Sequence, residues 1–405
     1  MNPSDTPDRP LPGSAGPQRL VVTTAAGIEP LLVEELAELS LTARKTPSGA
    51  VVVDGDWADA ARILTRSRLA SRVLLSLREF SAKHQKMLYD QVRRIDWPAL
   101  FPPSRSIAVQ AFGATSGCDY TLQLATLKIK DALCDEFRAA GLPRPDVDRQ
   151  DPDVRLVAFL FNGRCELSID LAGEPLHRRG YREEGAAAPL RENRAAALLR
   201  FAGYDGSAPL FDPFCGSGTI IIEGALMARR IAPGLLRPLD GFAAAALFPA
   251  GRAALEAERA RAAAERLPHP PAPIRGSDVD YEVLEVARRN ATKAGVAESV
   301  EFLRQDACAI EAPGGWIVSN PPHGERLSDP ETVATLLGEF VHRVKHHGTG
   351  TRLTLLLPRG PLENAVGLKP ARKLAVESGP LGLRFLNYEV YAGSRKVRPA
   401  RVEAE

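Results

Sequence analysis

The sequence predicts an α/β protein in two parts: an α+β N-terminal half and a C-terminal half built on a parallel sheet. From Leu190 onward, short apolar strands alternate with helices, a pattern typical of a parallel sheet covered on both faces. Before Ala172, strands and helices are arranged less regularly, as in small α+β units. A chain of 405 residues is long enough for two or three domains, each with its own core.

Composition excludes several classes of protein. With 25% charged and 44% hydrophobic residues, the chain is neither collagen-like nor wholly disordered. Five scattered cysteines without a C-x-x-C pair argue against a disulfide scaffold and structural zinc, and favour a reducing, cytoplasmic setting. No segment has the roughly 18 apolar residues of a membrane span. Residues 1–17 are predicted to be a disordered tail. Because the formal net charge is only +2, nucleic-acid binding needs a local basic patch.

Two small α+β units are predicted in the N-terminal half. The first has a strand at RLVVTTAAG, an amphipathic helix at IEPLLVEELAEL, and strands at AVVVDG and SRVLLSLREF. The second has a helix near Asp90–Ile95, a strand at SIAVQAFG, a long helix that ends at Gly141, and strands at VRLVAFLFN and RCELSIDLAG.

The C-terminal half follows a junction, residues 173–189, that is rich in Arg, Gly, Ala and Pro. Its predicted strands lie at PLFDPF, IRGSDVD, VEFLRQD, GWIVSNPP and RLTLLLP. The last two strands, RKLAVE and LRFLNYEVYAG, are too close for a helical crossover and predict an antiparallel hairpin at the sheet edge. The Ala/Arg/Pro-rich segment at about 228–273 is predicted to be a helical insertion on the outside of this sheet.

The strongest local motif joins an apolar strand to the start of a helix. It consists of Asp212, Pro213, Phe214, Cys215, Gly216, Ser217, Gly218 and Thr219. Glycines let the backbone approach a ligand closely, and the first N–H groups of a helix bind anions. The motif therefore predicts a nucleotide-like cofactor at the carboxyl end of the strand, the alternative being a turn that serves only the fold. The glycine spacing disfavours NAD or FAD.

Acidic residues follow the next two strands. Asp278 is predicted to accept hydrogen bonds from ribose hydroxyls, with Asp280 as second choice, and Asp306 to accept one from an adenine amino group. Aspartates at strand ends also cap helices or sit in turns, and capping suits Asp280 well.

A rigid loop, Ser319-Asn-Pro-Pro-His-Gly324, follows the strand WIV. In it, the Asn320 side chain and the Pro321 carbonyl are predicted to accept hydrogen bonds from an exocyclic amine, so that the nitrogen lone pair points at an electrophilic methyl. The ring of His323 is placed to stack on the base, the alternative being a turn with a solvent-facing histidine. His346 and His347 have no neighbouring Cys, Asp or Glu cluster, so no metal site is predicted.

These motifs together resemble a known family. DPFCGSGT, GSDVD, an acid after the next strand and NPPHGERL resemble class I S-adenosylmethionine-dependent methyltransferases of the N-P-P-Y type, which methylate exocyclic amines. Upstream, GEPLHRRGYR and APLREN resemble the THUMP-domain RNA guanine-N2 methyltransferases, in particular the RlmL-like 23S rRNA enzymes, with tRNA enzymes as relatives. The resemblance implies a Rossmann-like seven-stranded methyltransferase sheet with an antiparallel C-terminal hairpin over residues 190–395, before a tail at 396–405. It also implies a ferredoxin-like unit over 18–65 and a THUMP domain over 66–172.

The resemblance also implies roles for individual residues. S-adenosylmethionine would be bound by Asn193, Asp212, Pro213, Cys215, Gly216, Ser217, Gly218, Thr219, Asp278, Val279, Asp306 and Asn320. The catalytic residues, which position the target base, would be Asn320, Pro321, Pro322 and His323. The family usually has Tyr or Phe where this chain has His323. An imidazole stacks over less area and changes charge near neutral pH, so weaker stacking and some pH dependence are expected.

The expected partner is RNA, either 23S rRNA or tRNA. The protein is expected to be a monomer that binds neither a membrane nor a metal ion. Candidate phosphate contacts are Lys128, Lys130, Arg178, Arg179 and Arg182, although a solvated charged face would look the same. Two other functions stay open at this point. One is adenine-N6 or cytosine-N4 methylation of DNA, because those enzymes share the N-P-P motif. The other is a non-catalytic RNA-binding or ribosome-assembly factor that kept the fold, which His323 permits.

Overall fold

The computed structural model describes residues 17–46, 50–182, 190–310, 314–322, 330–378 and 381–390. The elements up to the junction are β1 (Gln18–Thr23), α1 (Glu29–Glu38), β2 (Ala43–Lys45), β3 (Val51–Gly55), α2 (Trp57–Arg66), β4 (Arg72–Ser81), α3 (Gln85–Val92), α4 (Trp97–Leu100), β5 (Ile107–Gly113), α5 (Leu122–Ala139), β6 (Val154–Phe161) and β7 (Arg164–Asp170). The elements after it are α6 (Glu192–Ala202), β8 (Leu210–Asp212), α7 (Thr219–Ala228), α8 (Ala243–Leu247), α9 (Pro249–Ala264), β9 (Ile274–Asp278), α10 (Tyr281–Lys293), β10 (Glu301–Arg304), β11 (Trp316–Ser319), α11 (Pro330–His347), β12 (Arg352–Pro358), α12 (Pro361–Ala365), β13 (Arg372–Ser378) and β14 (Leu381–Glu389).

The chain divides into two compact units. The first consists of the described residues within Met1–Arg182, Arg191–Ala197 and Arg230–Leu267. The second consists of those within Glu183–Leu190, Leu198–Arg229 and Pro268–Glu405. None of the helices in the described ranges is long and apolar enough to cross a membrane. The predicted disordered tail at 1–17 lies, apart from residue 17, outside the described residues, as does the predicted tail at 396–405.

The first unit contains one seven-stranded sheet, with strand order β2-β3-β1-β4-β7-β6-β5. β4 pairs antiparallel with β1 on one side and with β7 on the other, so the two α+β units predicted from the sequence share a continuous sheet. The turn between β6 and β7 has only two residues, Asn162 and Gly163, with φ of 50° and 70°. Positive φ at both positions suits the right-handed twist of the paired strands, and asparagine followed by glycine adopts it most readily.

The helical insertion packs against the first unit. The sequence places it on the outside of the second sheet, but α9 packs along α2, and Arg230–Leu267 belongs to the first unit. The guanidinium of Arg66 pairs with Glu258, which is 2% exposed, and its Nη2 donates to Glu265 Oε1 at 2.8 Å. The position of the insertion therefore depends on complementary charge and shape between α2 and α9, which are far apart in the chain. The order of strands and helices in the sequence does not show such a contact.

The second unit contains the parallel sheet predicted from the sequence, with strand order β10-β9-β8-β11-β12-β14-β13. The first five strands are parallel, and β14 runs antiparallel to both β12 and β13, which confirms the predicted hairpin at the edge. Strand order reverses beside β8, between β9 and β11. In open α/β sheets, ligands bind at such a switch point, outside the carboxyl ends of the strands. This is where the three motifs converge.

Candidate active site

A cavity of about 650 Å³ lies at the carboxyl ends of β8, β9, β10 and β11. The predicted site residues that line it are Asp212, Pro213, Cys215, Gly216, Ser217, Thr219, Asp278, Val279, Asp306, Asn320 and Pro322. Its described lining carries four carboxyl groups and no basic side chain, the fourth carboxyl being that of Asp280. The cavity thus favours a ligand that brings positive charge together with hydrogen-bond donors.

The loop between β8 and α7 is held by hydrogen bonds to the neighbouring strand and helix. Cys215 N donates to the Ser277 carbonyl at 3.0 Å, and Gly216 N donates to Asp278 Oδ2 at 3.0 Å. The buried amide of Asn290 on α10 donates to the Ser217 carbonyl at 3.1 Å. Gly218 has φ 82° and precedes the first residue of α7. A Cβ there would lie 3.0 Å from atoms of Ala287 and Phe302, so only glycine lets the loop pack this closely.

The acidic residues at the next strand ends have two roles each. Asp278 accepts from the backbone N–H groups of Gly216 and Asp280, at 3.0 and 3.1 Å. Asp280 caps α10, as its alternative role predicted, by accepting from Glu282 N at 2.9 Å. Asp306 accepts from Cys308 N at 2.8 Å and caps a short 3₁₀ helix at Ala307–Ala309. All three also line the cavity, so capping does not exclude ligand binding.

Asp212 is a strongly perturbed carboxyl group of the site. It is 1% exposed, and its Oδ1 accepts from Ser319 Oγ at 2.5 Å and from Phe214 N at 3.1 Å. Burial raises the pKa of Asp212 from 3.8 to about 7, and the nearby charge of Asp278 acts in the same direction. The hydrogen bond from Ser319 links the end of β11 to the end of β8, and so joins the two loops that form the cavity wall.

Asn320 presents an unused acceptor. Its Oδ1 is buried and has no hydrogen-bond partner among the described residues, although the residue lines the cavity. Buried acceptors are normally paired, so this one is available to a donor that a ligand brings. Pro321 is buried next to it and, like Gly218, does not contribute to the described lining. His323 lies outside the described residues, so its predicted stacking role stays a prediction.

One predicted cofactor residue lies elsewhere. Asn193, in the first unit, is 2% exposed, and its Nδ2 donates to Ser71 Oγ at 3.0 Å and to the Leu69 carbonyl at 3.5 Å. It does not belong to the described lining of the cavity. In this structure Asn193 fixes the chain that precedes β4, because both of its partners lie there.

Sequence reasoning missed the apolar part of the wall, which consists of Leu190, Phe214, Ile220, Val283, Ala307 and Leu336. Several of these residues lie inside or next to the motifs, yet nothing in their type distinguishes a cavity wall from a core position. Phe214 shows why, since its ring also packs edge-on against Phe340 of α11, with centroids 5.3 Å apart.

The candidate RNA contacts differ in their surroundings. Lys128 and Lys130 border a shallow depression of about 300 Å³ on α5, together with Arg138 and Arg144. Lys130 also pairs with Asp131 at 2.7 Å. Arg138 pairs with Asp135 at 2.8 Å, so the four cations share the depression with two carboxyl groups and leave it a moderate excess of positive charge.

The arginines of the junction are mostly engaged within the protein. Arg178 is exposed and pairs with Glu174 at 2.5 Å, and Arg182 pairs with Glu192 at 3.4 Å. Arg179 is 1% exposed and donates to the carbonyls of Leu176 and Arg68. We therefore correct the assignment of Arg179 as a phosphate contact, because a buried guanidinium bound to main-chain carbonyls stabilises the local fold.

The family described as RMKL-like, methyltransferase domain, matches residues 179–387, just over half of the chain. The chain belongs to this methyltransferase family. This confirms the resemblance found in the sequence. Two further families match this methyltransferase: the RlmL ferredoxin-like domain at residues 19–74 and the THUMP domain at 82–170. The matched ranges leave residues 75–81, most of β4, between the two, whereas the sequence placed the division between residues 65 and 66.

Solved structures resemble this methyltransferase over nearly its whole length. The methyltransferase SMU.472, solved in complex with SAH, is 27% identical, with a TM-score of 0.84 over 94% of this chain and 100% of its own. A Listeria monocytogenes protein described as a predicted N6-adenine-specific DNA methylase is 26% identical, with a TM-score of 0.81 over 92% and 96%. TrmN from Thermus thermophilus is 25% identical, with a TM-score of 0.67 over 92% and 99%.

Among the residues that the structure describes, no group of three or more His, Cys, Asp and Glu side chains is arranged to hold a metal ion.

Proposed function

We propose that this protein transfers a methyl group from S-adenosylmethionine to the exocyclic N2 of a guanosine in structured RNA, with 23S rRNA as the target. The observation that carries the proposal is the buried, unpaired Oδ1 of Asn320 in the wall of an acidic cavity at the sheet's switch point. An exocyclic amine supplies the hydrogen-bond donor that this oxygen lacks.

The residues present fit S-adenosylmethionine. Asp278 and Asp306 offer carboxylate acceptors for ribose hydroxyls and for an amino group, at the ends of adjacent strands. Gly216, with φ 51° and no atom within 4 Å of a would-be Cβ, leaves open space above the loop for the ligand to approach the backbone. The SAH complex of SMU.472, together with membership of a methyltransferase family, supports the same cofactor here.

The chain's own residues orient the reaction. S-adenosylmethionine supplies an electrophilic methyl group on a positively charged sulfur. Asn320 Oδ1 accepts a hydrogen bond from the guanine amine and turns its lone pair toward that methyl. The adjacent Pro321 and Pro322 restrict the loop backbone, and the Ser319–Asp212 hydrogen bond fixes the loop relative to β8. Catalysis then comes mainly from proximity and orientation, and the leftover amine proton passes to water.

The first unit supports RNA as the substrate. It matches the THUMP and RlmL ferredoxin-like domains, which the sequence resemblance associates with RNA-modifying enzymes. It also carries four neighbouring cations, Lys128, Lys130, Arg138 and Arg144. A target base inside a stacked region has to be extruded to reach the cavity, at a cost of a few kcal/mol. Transfer to guanine N2 in tRNA is the second candidate, because the sequence motifs also resemble those of the tRNA enzymes.

Nucleoside mapping tests the proposal. We expect mass spectrometry of 23S rRNA and tRNA from cells with and without this gene to show the loss of one N2-methylguanosine from 23S rRNA. Its loss from tRNA would favour the second candidate. Methylation of RNA by the purified protein, with Asn320→Ala as the inactive comparison, then assigns the activity to this cavity. Loss of N6-methyladenosine from DNA would contradict both candidates. Unchanged RNA and DNA, with no binding of S-adenosylmethionine in calorimetry, would leave a non-catalytic factor.

A further inference from the structure

Three phenylalanines share one face at the edge of the first sheet. Phe112 on the edge strand β5 is the register partner of Phe159 on β6, and the strands are parallel, so both side chains leave the same face. Phe161 follows two residues later on that face, and its ring lies nearly parallel to that of Phe159, with centroids 6.5 Å apart and an angle of 19°. We call Phe112, Phe159 and Phe161 the phenylalanine face.

The phenylalanine face is not part of the core. On β6 the alternate residues Leu156, Ala158 and Leu160 are fully buried, whereas Phe112 and Phe161 are 50% and 41% exposed. Contiguous exposed apolar side chains mark interaction surfaces, whereas single scattered ones do not. The rings of Phe159 and Phe161 are also oriented alike, which suits a flat partner.

The charges around the phenylalanine face favour an anionic partner. Glu166 and Glu79 lie on the same side of the sheet, but Arg19 Nε pairs with Glu166 at 2.7 Å and Arg164 Nε pairs with Glu79 at 2.9 Å. Lys83 is exposed and has no ion pair among the described residues. Its stem lies over Gly163 in the turn that follows Phe161, where a Cβ would be 2.9 Å from Lys83 Cγ.

We propose that the phenylalanine face binds unpaired nucleobases of the RNA by stacking, with Lys83 contacting a neighbouring phosphate. Every nucleobase has a π-face, so aromatic platforms bind single-stranded RNA with little regard to sequence. All four residues lie within the segment that matches the THUMP domain. The inference rests on the proposed RNA substrate, and it specifies that the substrate carries a single-stranded stretch beside its paired region.

Two RNAs separate stacking from general RNA binding: a hairpin with a single-stranded overhang and the same hairpin with a blunt end. Their Kd values are measured by fluorescence anisotropy at one salt concentration, with the full-length protein. We expect Phe112→Ala and Phe161→Ala each to weaken binding of the overhang RNA about 5- to 150-fold and to leave the blunt hairpin unaffected. The Tyr variants at both positions keep a ring and should bind within about twofold of the wild type.

Matched controls test the two chemical parts of the site. Leu127→Ala removes another large apolar side chain of the same unit, 42% exposed on α5, and should change neither Kd. Lys83→Gln should lower the slope of log K against log salt for the overhang RNA by about 0.7, because one phosphate contact is lost. The two Phe→Ala variants should leave this slope unchanged.

Three results would overturn the inference. Equal affinity of the wild type and both Phe→Ala variants for the overhang RNA, with methyl transfer intact, would remove the stacking site and leave the proposed function standing. A wild-type dimer in light scattering that both Phe→Ala variants dissociate would make the face a protein interface. A wild-type protein that binds neither RNA would overturn the proposed function as well.

Discussion

Asn320 and Asp212 give the cavity two unusual groups. One is a buried acceptor oxygen without a hydrogen-bond partner among the described residues, and the other is a buried carboxyl group that ionises only as pH rises through about 7. Leaving a buried acceptor such as Asn320 Oδ1 without a donor costs about 1–3 kcal/mol of folding free energy. A ligand that supplies the donor recovers this free energy at the moment of binding. Because Asp212 is buried, it holds a proton more tightly in the folded chain than in the unfolded one, and no basic side chain of the described lining opposes this.

Replacing Asn320 by Ala should lower kcat about 10²- to 10³-fold, because the amine loses the acceptor that orients its lone pair. Affinity for S-adenosylhomocysteine, measured by calorimetry, should change little, since Asp278 and Asp306, the proposed acceptors for the adenosine part, are untouched. Asn364→Ala, at an exposed position of α12, is the matched control and should leave both values unchanged. A variant at position 320 with wild-type kcat would contradict the assigned role.

Asp212 should make stability depend on pH. Because its pKa is raised to about 7 in the folded state, its contribution to the free energy of unfolding is fully present below about pH 4. The contribution is lost as pH rises through about 7. Asp212→Asn cannot ionise, so between pH 5 and pH 8 the wild type should lose about 3 kcal/mol relative to this variant. Urea unfolding of both proteins at four pH values measures the difference, and parallel pH profiles would refute the prediction.

The same carboxyl should distinguish the cofactor from its product. S-adenosylmethionine carries a positive sulfonium, and S-adenosylhomocysteine does not, so only the cofactor gains from an ionised Asp212. We expect the ratio of their Kd values to shift toward the cofactor as pH rises from 6 to 8 in the wild type, and to stay constant in Asp212→Asn. Calorimetry with both ligands checks this, and a ratio independent of pH in the wild type would be evidence against it.

At the scale of single elements, the loop between β8 and α7 depends on its backbone as much as on its side chains. Main-chain groups of Cys215, Gly216, Ser217 and Gly218 are hydrogen-bonded to β9, α10 or the loop itself, so the cavity floor is held in place before a ligand arrives. Rigidity of this kind lowers the entropy that binding has to remove.

Replacing Gly218 by Ala should damage this loop in two ways. Its φ of 82° is unfavourable for alanine by about 1–2 kcal/mol, and the new Cβ would press on Ala287 and Phe302 at 3.0 Å. Gly350 has a similar φ of 87° but open space around it, so Gly350→Ala measures the backbone cost alone. We expect Gly218→Ala to lose more stability in urea unfolding than Gly350→Ala, and to bind S-adenosylhomocysteine more weakly. Equal effects of the two variants would show that crowding does not matter.

At the scale of the whole molecule, the helical insertion belongs to the unit that precedes the methyltransferase sheet in the chain. Glu258 on α9 is almost fully buried and accepts from Arg66 of α2 and from Arg261 at 2.7 Å. The insertion lies in the C-terminal half of the sequence but packs as part of the first unit.

Glu258→Gln keeps the shape but removes the charge, and should lower the free energy of unfolding by about 1–3 kcal/mol. Native-state hydrogen exchange should locate the loss in β1–β7, with the amides of β8–β14 unaffected. Glu256→Gln, which lies on the same helix and has only an exposed pairing with Arg252 at 3.7 Å, should change stability by less than about 0.5 kcal/mol. Loss of protection confined to β8–β14 would contradict the assignment of the insertion.

The sequence by itself determined the second sheet, its edge hairpin and the convergence of three motifs at one cavity. The physical reason is that this information is local: parallel strands appear as short apolar runs, and each motif directly follows its strand. The same locality placed Asp278, Asp306 and Asn320 at strand ends, and the topology of the sheet then brought them together.

Only the tertiary structure decided which groups meet across long stretches of chain. It brought the Asn193 side chain of α6 into hydrogen bonding with the segment before β4, and it buried Arg179 against main-chain carbonyls. It also packed α9 on α2 and joined Ser319 to Asp212 by a hydrogen bond. It also left the phenylalanine face exposed at the edge of a sheet, although the alternation in VRLVAFLFN does not tell which face is covered. Burial and pairing between distant residues depend on how complete elements pack, and no local pattern encodes that packing.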